Sequence, residues 1–371
     1  MAKRILITGG AGFIGSHVAE LLLSFGYAVR ILDLFVPQVH GNGGAPRYVS
    51  KESELLVGDI CDRESVEAAL KHVDAVIHLA AAVGVGQSMY EIASYTRTND
   101  LGTAVLLEAL ARQPVERLVC ASSMSIYGEG LARRQNGEIV APGERPNAQL
   151  RRGVWEMLDE SGEPLQPLPT PESKPLSLSS VYALNKYNQE RLCLLIGKAY
   201  GIPTVALRFF NVYGPRQSLS NPYTGVLAIF ASRLLNKRPP LVFEDGLQRR
   251  DFVHVHDVAR ASLLALEPTK GTGDVFNIGS GESRTILSVA SDLARVIGRP
   301  HLTPHVTGKY RAGDIRHCFA DLDKSRAQLG YSPKVDFQIG MQELSEWLTE
   351  QVAEDSVEAA TLELERRGLV A

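Results

Sequence analysis

A tyrosine and a lysine lie four residues apart in a segment, 180–200, whose apolar pattern predicts a helix. Tyr182 and Lys186 therefore share one face of that helix. An ammonium beside a phenol stabilises the phenolate and lowers a pKa that is ordinarily about 10, which would make Tyr182 a general base near neutral pH. The hydroxyl of Ser123, just after a predicted strand, could polarise the same substrate oxygen. Tyr-x-x-x-Lys alone usually marks an ordinary helix face, but here it lies downstream of a dinucleotide fingerprint, which favours catalysis.

That fingerprint is a glycine-rich turn between the first predicted strand and the first predicted helix. Gly9, Gly12 and Gly15 are spaced three apart, with Phe13 and Ile14 between the last two. In such a turn, backbone N–H groups can approach a pyrophosphate at the positive end of the helix. A tight strand-to-helix turn could require the same glycines without any ligand, so the motif needs further support.

Side chains after the next strands supply that support. Asp33 ends the second predicted strand, where a carboxylate binds the adenosine ribose and repels a 2′-phosphate, so NAD is favoured over NADP. Asp59 and Ile60 follow the third strand and could contact the adenine, although a plain turn would explain Asp59 equally well. Small or apolar residues after the fourth strand would let a cofactor pass closely: Leu79, Ala80 and Ala81.

Strands and helices alternate through the first half of the chain. The predicted strands are 4–8, 28–32, 75–79 and 117–121, and the predicted helices include 14–25, 63–71 and 95–111. This alternation predicts an α/β fold with a Rossmann-type, doubly wound parallel sheet and a smaller, interleaved C-terminal substrate lobe. We expect an NAD-binding domain over 1–200 with an insertion at 129–179, a mainly substrate-binding lobe over 201–350 with some segments returning to the sheet, and a C-terminal helix within 351–371.

Composition excludes several classes of function. The net charge of -3 has no long blocks of one sign, which argues against binding to nucleic acid or to an anionic membrane. No apolar run is long enough to cross a bilayer and no signal segment is evident, so we expect a cytoplasmic protein. The four cysteines lack metal-ligand spacing, and no metal site is predicted.

Several further motifs then make a resemblance clear. The chain contains Ser-Ser-x-x-x-Tyr-Gly at 122–128, Arg-Phe-Phe-Asn-Val-Tyr-Gly-Pro at 208–215, Arg-Asp-Phe-Val-His-Val at 250–255 and Asn-Ile-Gly at 277–279. Together with the glycine turn and the Tyr182/Lys186 pair, these resemble the NAD-dependent epimerase/dehydratase branch of the extended short-chain dehydrogenases. The resemblance covers nearly the whole chain in the family's order.

The resemblance implies roles for individual residues. Ser123, Tyr182 and Lys186 would form the catalytic set, and Asn99 would lie near the nicotinamide half of NAD. The residues implied to contact a nucleotide-diphosphate sugar, dTDP- or UDP-linked, are Ser123, Ser125, Asn211, Val226, Arg250 and Arg311. Arg249 is an equally charged neighbour of Arg250 and could take its place, and both Arg250 and Arg311 could instead form surface ion pairs. Relatives commonly form homodimers through the helices near Thr98 and Ala183.

The turn after the fifth predicted strand bears on the reaction. Family members that dehydrate sugars carry an Asp-Glu pair directly after the hydroxyl residue, whereas this chain has Met124 and Ser125. Dehydration is therefore disfavoured, and we expect C4 epimerisation through a transient 4-keto sugar. Segments 83–90 and 219–225 and the insertion look most similar to enzymes that interconvert dTDP-L-rhamnose and dTDP-6-deoxy-L-talose, with a UDP-hexose or UDP-uronic acid as the alternative. A 4,6-dehydratase using displaced acids, a keto-sugar reductase and a non-catalytic NAD-binding scaffold are less favoured, and the insertion could form a lid over the sugar.

Overall fold

A computed structural model describes residues 2–41, 44–223, 225–311 and 313–371. At its centre is a seven-stranded sheet in which all neighbouring strands are parallel. From edge to edge the strands are Asp274–Ile278, Thr204–Phe209, Arg117–Ser123, Ala75–His78, Arg4–Thr8, Ala28–Asp33 and Glu54–Val57. The strand order reverses between Arg4–Thr8 and Ala75–His78, and the crevice beyond the carboxyl ends of these strands is where this topology binds ligands. The predicted α/β Rossmann-type fold is confirmed.

Helices cover both faces of the sheet because its strands are apolar on both sides. Ile5 and Ile7 pack towards one face and Leu6 towards the other. Helices Phe13–Ser24 and Val255–Ala265 complete the first core. The second core contains helices Arg63–Ala69, Gly102–Arg112 and Val181–Tyr200.

A third apolar core belongs to the second half of the chain. It lies among helices Val226–Leu235, Ile286–Val296 and Phe337–Leu348. The short strands of this half pair as Asn211–Tyr213 with Phe252–His254, as Leu241–Val242 with His305–Val306, and as Arg249–Arg250 with both Arg284–Thr285 and His317–Cys318. From the same half of the chain, strand Asp274–Ile278 joins the edge of the central sheet.

The helix predicted at 95–111 is interrupted. Helix Ile92–Thr96 leads into a π-helical turn, Arg97–Leu101, before helix Gly102–Arg112 begins. The wider turn includes the fully buried Asn99, whose side chain bonds the main chain of Ala82. Gly102 lies against Ile60, because a Cβ there would come within 2.6 Å of the isoleucine Cγ2. These long-range contacts explain a break that periodicity does not signal.

The insertion forms a small substructure. Three two-residue strands pair antiparallel around Ala132–Arg133, with Ile139–Val140 on one side and Gln166–Pro167 on the other. Ala132, Met157 and Leu165 form its small apolar cluster, and helix Asn147–Leu150 follows the second strand. So small a cluster cannot hold the segment alone, and the ion pairs Arg145–Glu244 and Arg316–Glu156 supply the remaining attachment.

The end of the described chain packs against both halves of the structure. Helix Val357–Arg366 is followed by an antiparallel bridge between Val370 and Arg311. The guanidinium carbon of Arg367 lies 4.2 Å from the ring centre of Tyr90. Within the described ranges, no helix is both long and apolar enough to span a membrane.

Candidate active site

The glycine turn has the shape that a pyrophosphate requires. Gly9 has a φ of +70°, and a Cβ there would lie 2.8 Å from the backbone nitrogen of Ala80. A Cβ on Gly15 would lie 2.4 Å from the carbonyl oxygen of Gly9, so only glycine lets the helix start so close to the strand. Gly12 caps the helix without a side-chain hydrogen bond, and Phe13 and Ile14 begin a first turn that lacks acidic residues. The positive helix end is thus available to an anion.

Asp33 lies beside this turn at the carboxyl end of its strand. Its carboxylate accepts hydrogen bonds from the backbone N–H groups of Ala11 and Phe35, each at 3.0 Å. His40, which the sequence did not single out, lies 3.4 Å away. Burial by itself would raise the pKa of Asp33, but the hydrogen bonds from His40, Phe35 and Ala11 hold it below its ordinary value. The carboxylate is therefore ionised and fixed where an adenosine ribose would bind.

The adenine-side candidates differ in exposure. Asp59 accepts a hydrogen bond from the backbone N–H of Cys61 at 2.8 Å and lies 3.2 Å from a guanidinium nitrogen of Arg97, while Ile60 is buried against Gly102. Ala80 donates its backbone N–H to the Thr8 hydroxyl at 3.3 Å, which brings the segment Leu79, Ala80 and Ala81 alongside the glycine turn. Asn99 reaches this segment indirectly, because its side-chain oxygen accepts from the Ala82 N–H at 2.7 Å and its nitrogen donates to the Ala82 carbonyl at 3.0 Å. Asn99 therefore positions the loop that borders the crevice.

Ser123 and Tyr182 come together at the end of the sheet. The Ser123 hydroxyl lies 3.1 Å from the Ser125 hydroxyl and accepts the Ser125 backbone N–H at 3.2 Å. The Tyr182 helix begins at the N-cap Ser180, and the Tyr182 N–H donates to Ser88 at 3.1 Å. Burial raises the pKa of Tyr182, and the nearby Ser123 side chain acts in the opposite direction. The two hydroxyl-bearing side chains thus lie on two adjoining elements.

Lys186 is held by a residue that the sequence analysis missed. Its ammonium donates to the side-chain oxygen of Gln189 at 2.7 Å, and burial lowers its pKa. The expected lowering of the Tyr182 pKa by Lys186 is not what the structure gives, because burial of the phenol outweighs the other influences and raises that pKa. The side-chain spacing of a helix could have suggested Gln189 as a partner of Lys186, since residues three apart lie on the same face.

A buried ionic network supports the serine turn. Arg208 binds the Glu190 carboxylate through two nitrogens, at 2.9 and 2.7 Å, and the same carboxylate accepts from the Ser122 hydroxyl at 2.7 Å. Arg208 also donates to the Tyr127 hydroxyl at 2.9 Å, which in turn donates to Asn277 at 2.6 Å. The network joins the Tyr182 helix to three strands and fixes the strand end that carries Ser123.

The substrate-side candidates have different environments. The side-chain oxygen of Asn211 is buried with no hydrogen-bond partner in the described part of the chain, and Val226 begins helix Val226–Leu235 after Gly225. Arg250 points inward and donates to the carbonyls of Arg249, Ile315 and Arg316, whereas the Arg249 side chain is exposed and bonds Ser283. Arg311 lies over the Phe243 ring at 4.3 Å, and its Nε is buried without a partner among the described residues. Asn211 and Arg311 thus retain hydrogen-bonding capacity, while Arg250 is engaged by backbone oxygens and by the Asp314 carboxylate at 3.4 Å.

A cavity of about 460 Å³ borders the segment after the serine turn and the segment before the Tyr182 helix. Gly128, which follows the serine turn, and Ser179, which precedes the Tyr182 helix, lie on its wall. The other lining residues come from the insertion, from 313–315 and from one further position, Met89: Met89, Glu129, Glu144, Arg145, Pro146, Asn147, Leu150, Gly313, Asp314 and Ile315. The insertion therefore contributes a wall beside the candidate site.

Ion pairs attach that wall to the second half of the structure. Arg145 lies 3.5 Å from Glu129 and 2.8 Å from Glu244, and all three side chains are at most 4% exposed. Arg316 is fully buried and binds Glu156 of the insertion at 2.5 Å and Glu244 at 2.9 Å. The insertion is thus held by charges that it shares with the rest of the chain.

Comparison with known proteins identifies the family. The model of the NAD dependent epimerase/dehydratase family matches residues 5–149 and 158–279. The chain belongs to this family. Its sequence is 36% identical to the dTDP-L-rhamnose 4-epimerase of Burkholderia thailandensis, over 94% of this chain and 96% of the relative. It is 32% identical to a putative UDP-glucose 4-epimerase of Methanocaldococcus jannaschii, over 93% and 98%. The Thermus thermophilus UDP-glucose 4-epimerase, solved with NAD, superposes with a TM-score of 0.71 at 33% identity, over 94% and 100%.

Family and relatives make the chain an NAD-dependent enzyme of the epimerase type, with NAD as its cofactor. The residues of this epimerase fit the group: Gly9 and Gly15 leave room that a Cβ would fill, and the ionised Asp33 stands beside them. The gap in the family match, 150–157, falls within the insertion and contains Glu156. The Glu156–Arg316 ion pair therefore lies outside the residues that the family model matches.

One histidine cluster of the epimerase packs against the helix that follows the glycine turn, where His256 contacts His17. His254, His256 and Glu343 are close enough to hold a metal ion, with the His254 Nε2 3.6 Å from the Glu343 carboxylate. The His254 Nδ1 accepts the His256 backbone N–H at 3.4 Å as a helix cap. The proton of the neutral ring therefore belongs on Nε2, facing Glu343, and the arrangement is that of a hydrogen-bonded cap.

Proposed function

We propose that the protein epimerises a nucleotide-diphosphate sugar at C4, with Ser123 and Tyr182 acting on the C4 oxygen. The observation that carries this proposal is the placement of the two hydroxyls on adjoining elements at the crevice of an NAD-binding sheet. Tyr182 takes the proton of the C4 hydroxyl, and Ser123 donates a hydrogen bond to the same oxygen. When bound, NAD would be held at the glycine turn of Gly9, Gly12 and Gly15 and beside Asp33, and it would supply a reversible hydride acceptor for C4. The 4-keto sugar turns about its diphosphate tether, and Tyr182 returns the proton to the inverted alcohol.

The composition of the serine turn supports epimerisation over dehydration. Met124 is buried, and Ser125 bonds Ser123, so neither supplies a carboxyl group. Two nearby carboxylates are already engaged: Glu129 accepts two backbone N–H groups and faces Arg145, and Glu190 binds Arg208. A displaced acid pair for dehydration would have to give up these contacts.

For the substrate we favour interconversion of dTDP-L-rhamnose and dTDP-6-deoxy-L-talose. The dTDP-L-rhamnose 4-epimerase of Burkholderia thailandensis matches nearly the full length of this chain at 36% identity, which supports this choice. The two segments that suggested this substrate also meet in the structure, since the Tyr90 hydroxyl donates to the Tyr223 hydroxyl at 2.7 Å and Gln38 bridges Gln87 and Asn221. The competing proposal is a UDP-hexose or UDP-uronic acid, and the Methanocaldococcus relative supports it.

The test is turnover in D2O of a panel of dTDP-, UDP- and GDP-sugars, without added cofactor. C4 epimerisation gives a product of unchanged mass with altered H3–H4 and H4–H5 couplings, and no deuterium enters at carbon because the hydride is returned internally. Loss of water would indicate a dehydratase, and a requirement for added reduced cofactor would indicate a reductase. No turnover of any sugar would favour a non-catalytic scaffold.

A single variant tests the assignment of the base. Tyr182→Phe should lower kcat by about 10²- to 10⁴-fold while the protein retains NAD, because only the proton-transfer group is removed. Tyr187→Phe, on the same helix, is the matched control and should retain normal turnover. Full turnover by Tyr182→Phe would refute the proposed chemistry.

We also propose that the enzyme forms a homodimer through the helices near Thr98 and Ala183. Leu101 and Leu184, which adjoin these positions, are 46% and 45% exposed, and such apolar groups gain free energy when covered. Leu184→Glu should convert the dimer to a monomer in light scattering. Leu362→Glu, at an equally exposed leucine of the last helix, should not; a Leu184→Glu dimer would exclude this interface.

A further inference from the structure

Lys186 is fixed by a neutral side chain and not by a carboxylate. Its ammonium donates to Gln189 at 2.7 Å, and both side chains are buried. The carboxylate nearest in sequence, Glu190, has its oxygens bound by Arg208 and Ser122. The charge of Lys186 is therefore held in place without being neutralised by the group that holds it.

The orientation of the Gln189 amide is fixed by its other partners. Its nitrogen donates to the Thr103 hydroxyl at 2.8 Å and lies 3.3 Å from His78 Nε2. The Thr103 hydroxyl donates its hydrogen bond to the Asn99 carbonyl at 2.6 Å, so it must accept the hydrogen bond from the Gln189 amide nitrogen. The amide oxygen is thus directed to Lys186 and the amide nitrogen away from it.

This chain of hydrogen bonds reaches the cofactor crevice. His78 lies 3.0 Å from Thr103 and 2.7 Å from the Thr8 hydroxyl, and Thr8 accepts the backbone N–H of Ala80. Burial, followed by the charge of Lys186, lowers the pKa of His78 to about 3, so its ring is neutral. Lys186 is accordingly the one cation in this chain of side chains.

We infer that Gln189 is a positioning residue for catalysis, which holds the Lys186 ammonium so that its full charge remains available to stabilise the Tyr182 phenolate. This role rests on the proposed function of Tyr182 as the base. A glutamate at 189 would hold Lys186 equally well but would neutralise it, and an apolar residue would leave it unheld. The two changes therefore separate the geometric from the electrostatic part of the role.

The remaining groups around the pair are neutral or already engaged. Lys186 faces the thiols of Cys120 and Cys193 as well as Glu190, and Tyr182 faces Ser123 and Tyr95. Burial raises the pKa of Tyr95, which keeps that phenol protonated. A new charge at 189 would thus be the main electrostatic change felt by Tyr182.

The experiment compares Gln189→Glu, Gln189→Met and the wild type in the full-length holoenzyme. Gln189→Glu should raise the pKa of Tyr182 by about one pH unit, as expected for a unit charge about 10 Å away at an effective dielectric constant of about 20. The shift should appear both in the pH profile of kcat and in the tyrosinate absorbance that Tyr182→Phe abolishes. Gln189→Met should lower kcat about tenfold with little change in KM. Ala199→Glu places the same charge on the exposed end of the helix and should change neither.

The absorbance titration needs no substrate, so it tests this inference even if the proposed sugar is wrong. A Tyr182 pKa and a kcat profile that match the wild type in both Gln189 variants would overturn the inference. Loss of kcat in Gln189→Met with an unshifted Tyr182 pKa in Gln189→Glu would also overturn it, because Gln189 would then act only in packing. Should Gln189→Glu fail to fold, Gln189→Met decides through its kcat and KM.

Discussion

Replacing Arg145 with methionine would test whether buried charge holds the insertion in place. Arg145 faces Glu129 at 3.5 Å and Glu244 at 2.8 Å, and its side chain is 2% exposed. Removing one partner of a buried ion pair costs about 3–5 kcal/mol, because the other charge is left without compensation. Glu244 keeps Arg316, and Glu129 keeps the backbone N–H groups of Arg316 and His317. We therefore expect a loss near the lower end, about 3 kcal/mol.

The Glu129 carboxylate, which loses its Arg145 partner in this variant, can be tested by two further measurements. Burial raises the pKa of Glu129, and the Arg145 charge opposes that rise, so Arg145→Met should raise the pKa further. Glu129 can then take up a proton as the pH falls, and the loss of stability should be smaller at pH 5 than at pH 7. Adding Glu129→Gln removes the charge directly and should restore about 1–2 kcal/mol.

Urea unfolding followed by circular dichroism measures both effects. Arg134→Met is the matched control within the insertion, because its partners Glu138 and Glu160 are exposed, and it should leave the urea midpoint unchanged. An Arg145→Met protein within about 1 kcal/mol of the wild type at pH 7 would refute the reasoning. The same reasoning argues against deleting 133–166 to test a lid, since the deletion removes Arg145 and Glu156 and would confuse stability with substrate binding.

Three further predictions concern the cofactor turn and the insertion. Gly12→Ala should fold normally, because its Cβ would meet only the Gly9 oxygen at 3.4 Å, but it should lose bound NAD. Gly15→Ala should lose both NAD and thermal stability, because its Cβ would lie 2.4 Å from that oxygen. Equal thermal stability of the two variants would contradict this prediction. Asp33→Ser should weaken NAD binding and improve NADP binding in titrations, and unchanged selectivity would exclude a ribose contact. The pKa of Glu156 is lowered to about 2, because hydrogen bonds from His317 and Arg316 outweigh the effect of burial. Its contribution is therefore present above its ordinary value of 4.5 and lost as pH falls towards 2, so the stability difference between wild type and Glu156→Gln should shrink between pH 5 and pH 3 in thermal unfolding.

Local patterns predicted the sheet and the first-domain helices well. Ile5, Leu6 and Ile7 are all buried and alternate between the two cores because the strand is covered on both faces. The steric need for Gly9 and Gly15 follows from a tight turn. The apolar run and the glycine spacing are local patterns, so they can be read from the sequence even though the groups that cover them lie further along the chain. The fold class was predictable for that reason.

Features that depend on distant partners were not predictable. The π-helical turn exists because Asn99 bonds Ala82, and the orientation of Arg250 follows from carbonyls of the segment 315–316. The hydrogen bond between Lys186 and Gln189 joins residues three apart in one helix, but the orientation of the Gln189 amide depends on the distant Thr103 and His78. Such contacts join segments whose spacing along the chain carries no signal.

The link between Glu190 and Arg208 limits how the two halves of this enzyme can be recombined with those of relatives. A chimera that takes residues 1–200 from this chain and the remainder from another family member would keep the carboxylate but depend on the donor for its guanidinium. Crossover points are better placed beyond the strand Thr204–Phe209, so that both charges are inherited together. A substrate lobe can then be exchanged at a junction that keeps buried ion pairs such as Glu190–Arg208 within one parent sequence.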